Sequence, residues 1–134
     1  MKNDLPERTF SFACRAVKLC QMLGKTRSVP PSLANQLLRS ATSIGANVEE
    51  GQASQSKADF VAKYSIACKE AREAHYWLRL IGATGLVGED RLSGMVDEAD
   101  QLVAILTTIV KKCRPSRTKG RGEAIGPTRE LAEE

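Results

Sequence analysis

Aromatic and imidazole side chains are scarce in this chain, which has three Phe, two Tyr, one Trp and one His among 134 residues. A lone histidine offers little for acid–base or metal chemistry, which usually recruits several ligands or a base held by a paired carboxylate. His75 sits between Ala74 and Tyr76 with glutamates only on its N-terminal side, so it is expected to be a surface or interface histidine. Long apolar runs are also missing. Nothing approaches the roughly 20 residues that span a bilayer, and Met1-Lys2-Asn3-Asp4 leads into no signal-peptide core, so the expected setting is cytoplasmic with no membrane partner. Val and Ile together number 14, against 16 Ala and 13 Leu, a balance that disfavours sheet and favours packed helices. The four cysteines (Cys14, Cys20, Cys68 and Cys113) include no pair at zinc-knuckle spacing and follow no secretory signal; they are expected to be small buried hydrophobes. Neither metal nor cofactor is implied. Glu49 and Glu50 are adjacent on a helix and so diverge, which leaves no acid/base pair, and no enzymatic activity is expected.

What is present is helical periodicity. The length suits one domain with a real core. Four amphipathic segments are separated by Gly, Pro and Ser. The first opens near Asp4, where Asp4 and Glu7 have capping-box spacing and Pro6 suits a first turn, and it stops at Gly24 with an apolar stripe of Phe10, Ala13, Val17 and Cys20. Pro30-Pro31 start the second, whose inner face is Leu33, Leu37, Ala41, Ile44 and Val48 before Gly51 ends it. Gly45 in mid-helix marks a close approach by another backbone. Ser56 and Asp59 form a second capping box, opening a segment over residues 57–83 with the seam Phe60, Tyr64, Ala67, Ala71, Ala74, Leu78, Ile81. Its run of alanines predicts tight packing.

The fourth segment carries Leu92, Val96, Ala99, Val103, Leu106, Val110 and Cys113, with Met95, Leu102 and Ile109 alongside. That face is wider than one helix seam needs, and an intermolecular interface is expected on it. Gly82, Gly85 and Gly88 have the spacing of a phosphate loop but follow a helix and lack the lysine, so they are expected to be a helix-to-helix turn. The fold expected is all-α, an antiparallel up-and-down four-helix bundle over residues 1–114. Residues 115–134 have almost nothing to bury and are expected to be a disordered basic and polar tail.

The least ordinary stretch is Arg39-Ser40-Ala41-Thr42-Ser43-Ile44-Gly45-Ala46-Asn47-Val48-Glu49-Glu50-Gly51. Ser40, Ser43 and Asn47 recur at three- and four-residue steps beside the apolar stripe, which suits close helix packing; Arg39, Ser43 and Asn47 can equally form a polar network with Glu50. The stretch resembles the signature of the four-helix-bundle family first noticed as proteins encoded in intervening sequences of bacterial 23S ribosomal RNA genes, the S23 ribosomal protein-like family. Asp59-Phe60, Tyr64-Ser65-Ile66-Ala67, Glu70 and Glu73 extend the likeness, which spans roughly residues 8 to 113; Val48 stands where Ile is commoner. The resemblance implies a homopentamer with no catalytic residue, in which Arg39, Ser40, Ser43, Ile44, Asn47, Glu50 and Gly51 are structural. It also implies relatives that serve diversity-generating retroelements by binding a reverse transcriptase and its RNA.

Charge points the same way. The chain carries a formal net charge of +4 and a pI near 9.0. Lys111, Lys112, Arg114, Arg117, Lys119 and Arg121 form a run without an acidic residue, and Lys69, Arg72, Tyr76 and Arg79 share a face of the third segment. These ten are the candidate RNA or DNA contacts. The alternative is a solvated face on which Lys69 pairs with Glu73 one turn away. The function expected is a nucleic-acid-binding accessory protein; the alternative is a protein-interaction scaffold with no nucleic-acid role.

Overall fold

The structure, a computed structural model, describes residues 4–114. It contains four helices, α1 (Leu5–Gly24), α2 (Pro31–Gln52), α3 (Lys57–Ala83) and α4 (Glu89–Cys113), with no strand among the described residues. The tail, with Arg117, Lys119 and Arg121, lies outside the described residues.

Side-chain neighbours fix the helix directions. Thr9 faces Gly45 while Cys20 donates to the Ala34 carbonyl at 3.4 Å, so α1 and α2 run opposite ways. Gly51 meets Tyr64 while Arg39 meets Glu70 and Glu73, and Cys68 meets Thr107 while Gly82 meets Leu92. Each helix therefore reverses on the one before it. Arg8 closes the circuit with a two-pronged contact to Glu98 at 2.9 and 2.7 Å, and the result is an antiparallel four-helix bundle.

The turns follow their residues. Ser56 adopts extended backbone and its side chain accepts from the Asp59 amide at 3.0 Å, as the capping box requires. Asp4 occupies the N-cap position of α1, but its side chain makes no cap hydrogen bond, so the capping box expected there does not form. The glycines after α3 make the expected turn, with Gly85 at φ +76°.

In the core, Ala67, Ala71 and Ala74 are fully buried and let α3 lie close to α2. Gly45 is the close approach expected of it, since a Cβ there would stand 3.4 Å from the Thr9 backbone. One expectation is corrected. The inner face of α1 is Leu5, Thr9, Phe12, Ala16 and Leu23; Phe10 and Val17 point outward and Cys14 is exposed. Leu5, Thr9, Phe12 and Ala16 follow four-, three- and four-residue steps, a seam disguised by the hydroxyl of Thr9, which donates to the Pro6 carbonyl at 3.1 Å. On α4, Leu92, Met95, Ala99, Leu102, Leu106 and Val110 are buried, and Val96, Val103 and Ile109 pack half-buried against the same core. Much of the wide face of α4 is thus covered within the protomer, with Val96, Val103 and Ile109 left partly accessible. The exposed large hydrophobics are instead Phe10 and Val17 on α1 and Ile66 and Tyr76 on α3.

Candidate nucleic-acid interface

The antiparallel pairing of α3 and α4 sets the middle of α3 beside the last turns of α4. On α3, Ser65, Cys68, Lys69 and Arg72 lie at steps of three, one and three, one line along the helix; Thr107, Val110 and Lys111 on α4, with Arg114 at its C-cap, have the same spacing. These eight residues line one groove of ≈ 260 Å³. Two clusters of cations 39 residues or more apart in sequence therefore converge, Lys69 and Arg72 from one wall and Lys111 and Arg114 from the other.

Its floor is polar and partly tied. Arg72 Nη2 lies 3.4 Å from Thr107 Oγ1, which in turn lies 3.3 Å from Cys68 Sγ. Among the described residues no carboxylate comes within ion-pair distance of Lys69, Arg72, Lys111 or Arg114. The expected alternative, Lys69 held by Glu73, does not form: Glu73 accepts from Arg39 and, at 3.0 Å, from Trp77 Nε1. Those two hydrogen bonds, Arg39 first, hold the Glu73 carboxyl below its ordinary pKa. Four like charges in one groove attract anions, and the lysine and arginine donors suit phosphate oxygens.

The other candidates fall elsewhere. Tyr76 and Arg79 lie further along α3, outside the groove, with the Arg79 guanidinium 5.9 Å from the Tyr76 ring centroid and the ring set edge-on to Trp77. Arg79 borders a second hollow that also contains Glu89 and Asp97, which weakens its pull on an anion. Lys112 is exposed but does not line the groove. Ser65, Cys68 and Thr107 were not foreseen as groove residues; their helical step to the cations was legible, but the α3–α4 register was not.

The stretch beginning at Arg39 acts structurally and splits into separate contacts. Arg39 bridges to Glu70 at 3.2 Å and to Glu73. Ser40 is fully buried and returns its hydroxyl to the carbonyls of Gln36 and Leu37, and Ile44 is core. Asn47 donates to Ser43 on its own helix, whereas Glu50 pairs with Lys63 at 3.0 Å. No single network joins Arg39, Ser43, Asn47 and Glu50. Gly51 makes room for Tyr64.

Residues 1–108 match the model of the 23S rRNA-intervening sequence protein family. Among solved structures, the chain is similar to a protein of unknown function from the S23 ribosomal protein family of Bacteroides thetaiotaomicron, with 34% identity and a TM-score of 0.75, over 80% of this chain and 95% of that one. No curated protein matches. The α3 wall of the groove lies inside the family match, while Lys111 and Arg114 lie beyond it.

Proposed function

Because the chain belongs to the 23S rRNA-intervening sequence protein family, we propose that it works without catalysis, as an oligomeric cytoplasmic accessory protein that holds RNA or DNA by its phosphates. The observation that carries this reading is the groove in which Lys69, Arg72, Lys111 and Arg114 meet with no carboxylate partner among the described residues. A phosphodiester chain supplies the missing anions. Contacts of this kind read charge rather than base sequence. The family resemblance supplies the homopentamer, which at +4 per chain gathers about +20 on one particle and multiplies phosphate contacts, and it makes a reverse transcriptase bound to its RNA the natural protein partner.

A second reading has its own observation. The outward face between α1 and α2, with Phe10 and Val17 exposed, favours protein contact, and a scaffold with no nucleic-acid role uses only that. The two readings separate in a binding titration of labelled single- and double-stranded RNA and DNA at 50 mM salt. The expected result is micromolar or tighter binding, indifferent to sequence, that is lost in the triple charge reversal of Lys69, Lys111 and Arg114 to Glu while oligomer mass is unchanged. No binding at micromolar protein leaves the scaffold reading in place.

A further inference from the structure

The seam between α3 and α4 changes sign along its length. At one end Lys69, Arg72, Lys111 and Arg114 line the basic groove. Seven residues on from Arg72, about two helical turns, Arg79 borders the next hollow between the same two helices, where Glu89 and Asp97 are the other charges. Asp100 stands exposed between the two, seven residues back from Thr107 and so on the same line of α4. Beyond Arg72 the seam therefore sets three carboxylates against one guanidinium.

That polarity decides how phosphates can use the groove. Internucleotide phosphates carry one negative charge each and are separated from one another by a sugar. A strand laid along the whole seam gains the four cations and then runs into the carboxylates. A strand laid across it brings too few phosphates to match four cations. The groove is also short, because Ser65 to Arg72 and Thr107 to Arg114 are each seven residues, about 10 Å along the helix axes. Four positive charges over that length suit phosphates joined directly to one another. No aromatic ring lines the groove, so a base has nothing to stack on there, whereas the Ser65 and Thr107 hydroxyls add donors to those of the cations. Arg72 touches Thr107 through Nη2 alone, at 3.4 Å, and keeps its other N–H groups for a ligand.

We infer that the groove takes the 5′-terminal triphosphate of an RNA strand, end-on. This rests on the phosphate-binding reading of the groove and names the part of the nucleic acid that it holds. A 5′-triphosphate carries one charge on each inner phosphoryl group and close to two on the outer one, about −4 in all. The four cations match it. A volume of ≈ 260 Å³ is the space of roughly nine waters, enough for three linked phosphoryl groups. The outermost phosphoryl group lies towards Arg72, where the strand ends and no further charge has to pass Asp100. The first nucleoside lies beyond Arg114, and the rest of the strand leaves on that side, so base identity is not sensed.

Fluorescence anisotropy of one short unstructured RNA, labelled at its 3′ end and free of divalent cations, tests the assignment. The 5′-triphosphate form should bind at least tenfold more tightly than the 5′-hydroxyl form, with the 5′-monophosphate between them. A 5′-hydroxyl strand about four nucleotides longer has the same total charge and should gain much less. Inorganic triphosphate should displace the triphosphate end, and a nucleoside triphosphate should compete no better than inorganic triphosphate. Lys69→Ala/Arg72→Ala changes two exposed side chains, so circular dichroism should show the helix content of the parent, and the preference for the triphosphate should vanish. Asp97→Asn/Asp100→Asn should tighten binding of the 5′-hydroxyl strand and narrow the ratio. Equal binding of the triphosphate strand and the longer hydroxyl strand overturns the assignment. So does a preference that survives Lys69→Ala/Arg72→Ala, a ratio unmoved by the aspartate variant, or a nucleoside triphosphate that outcompetes inorganic triphosphate. If no RNA of any kind binds, the phosphate-binding reading itself falls, which keeps the two failures distinct.

Discussion

Gly51, in the last turn of α2, packs directly against the ring of Tyr64: a Cβ at residue 51 would stand 2.6 Å from ring atoms Cδ1 and Cε1. The ring cannot swing aside, because it stacks on Phe60 with centroids 4.1 Å apart and its hydroxyl accepts from Gln52 Nε2 at 2.6 Å. Gly51→Ala gains up to about 1 kcal/mol of helix propensity but forces overpacking that costs about 1–3 kcal/mol. The clash wins because both ends of the tyrosine are held. Urea unfolding should show Gly51→Ala destabilised, whereas Gly24→Ala, with nothing within 4 Å of its Cβ, should be neutral or slightly stabilised.

The two capping boxes written in the sequence should differ when tested. Ser56→Ala removes an observed bond to the Asp59 amide and should cost about 1 kcal/mol. Asp4→Ala removes no cap hydrogen bond and should change the midpoint of unfolding much less. Equal losses at the two positions would contradict the described geometry.

Glu73 ties stability to acid. Its folded pKa is depressed, chiefly by the Arg39 hydrogen bond and then by Trp77, so its contribution is complete above the unfolded Glu pKa of about 4.3 and is lost as pH falls through the lower folded value. Arg39→Gln removes the larger cause. The variant should lose stability less steeply than the parent between neutral pH and the acid limb, as read from unfolding midpoints across pH.

Within the C-terminal basic run, position should matter as well as charge. Lys111 lines the groove and Lys112 does not. Each phosphate contact contributes about 0.9 to the slope of log affinity against log salt on duplex DNA, so Lys111→Ala should lower that slope by close to one contact. Lys112→Ala should leave it nearly unchanged. Identical slopes for the two variants would mean that the groove is not where phosphate sits.

Residue pattern revealed the helices more readily than their faces. The seam of α3 was legible because Ala67, Ala71, Ala74, Leu78 and Ile81 are all apolar and all buried. On α1 two stripes compete, each containing a phenylalanine, and the true one contains Thr9, whose polarity is neutralised by a carbonyl within its own helix. No periodicity rule sees that internal bond. For the groove, each wall was visible as a line of cations, but their meeting depends on the register between α3 and α4. That register is set by Gly82 against Leu92 and by Cys68 against Thr107, contacts that local spacing does not specify.

Few residues of α1 and α4 approach one another, whereas each helix packs extensively on its neighbour in sequence. The native contacts are consequently short-range along the chain, and the topology is of low contact order. Such bundles fold on the microsecond-to-millisecond scale because little loop entropy is spent before the first favourable contacts form. A nascent chain can fold α2 onto α1, then α3 onto α2, without waiting for α4, which arrives after them and brings the second wall of the basic groove.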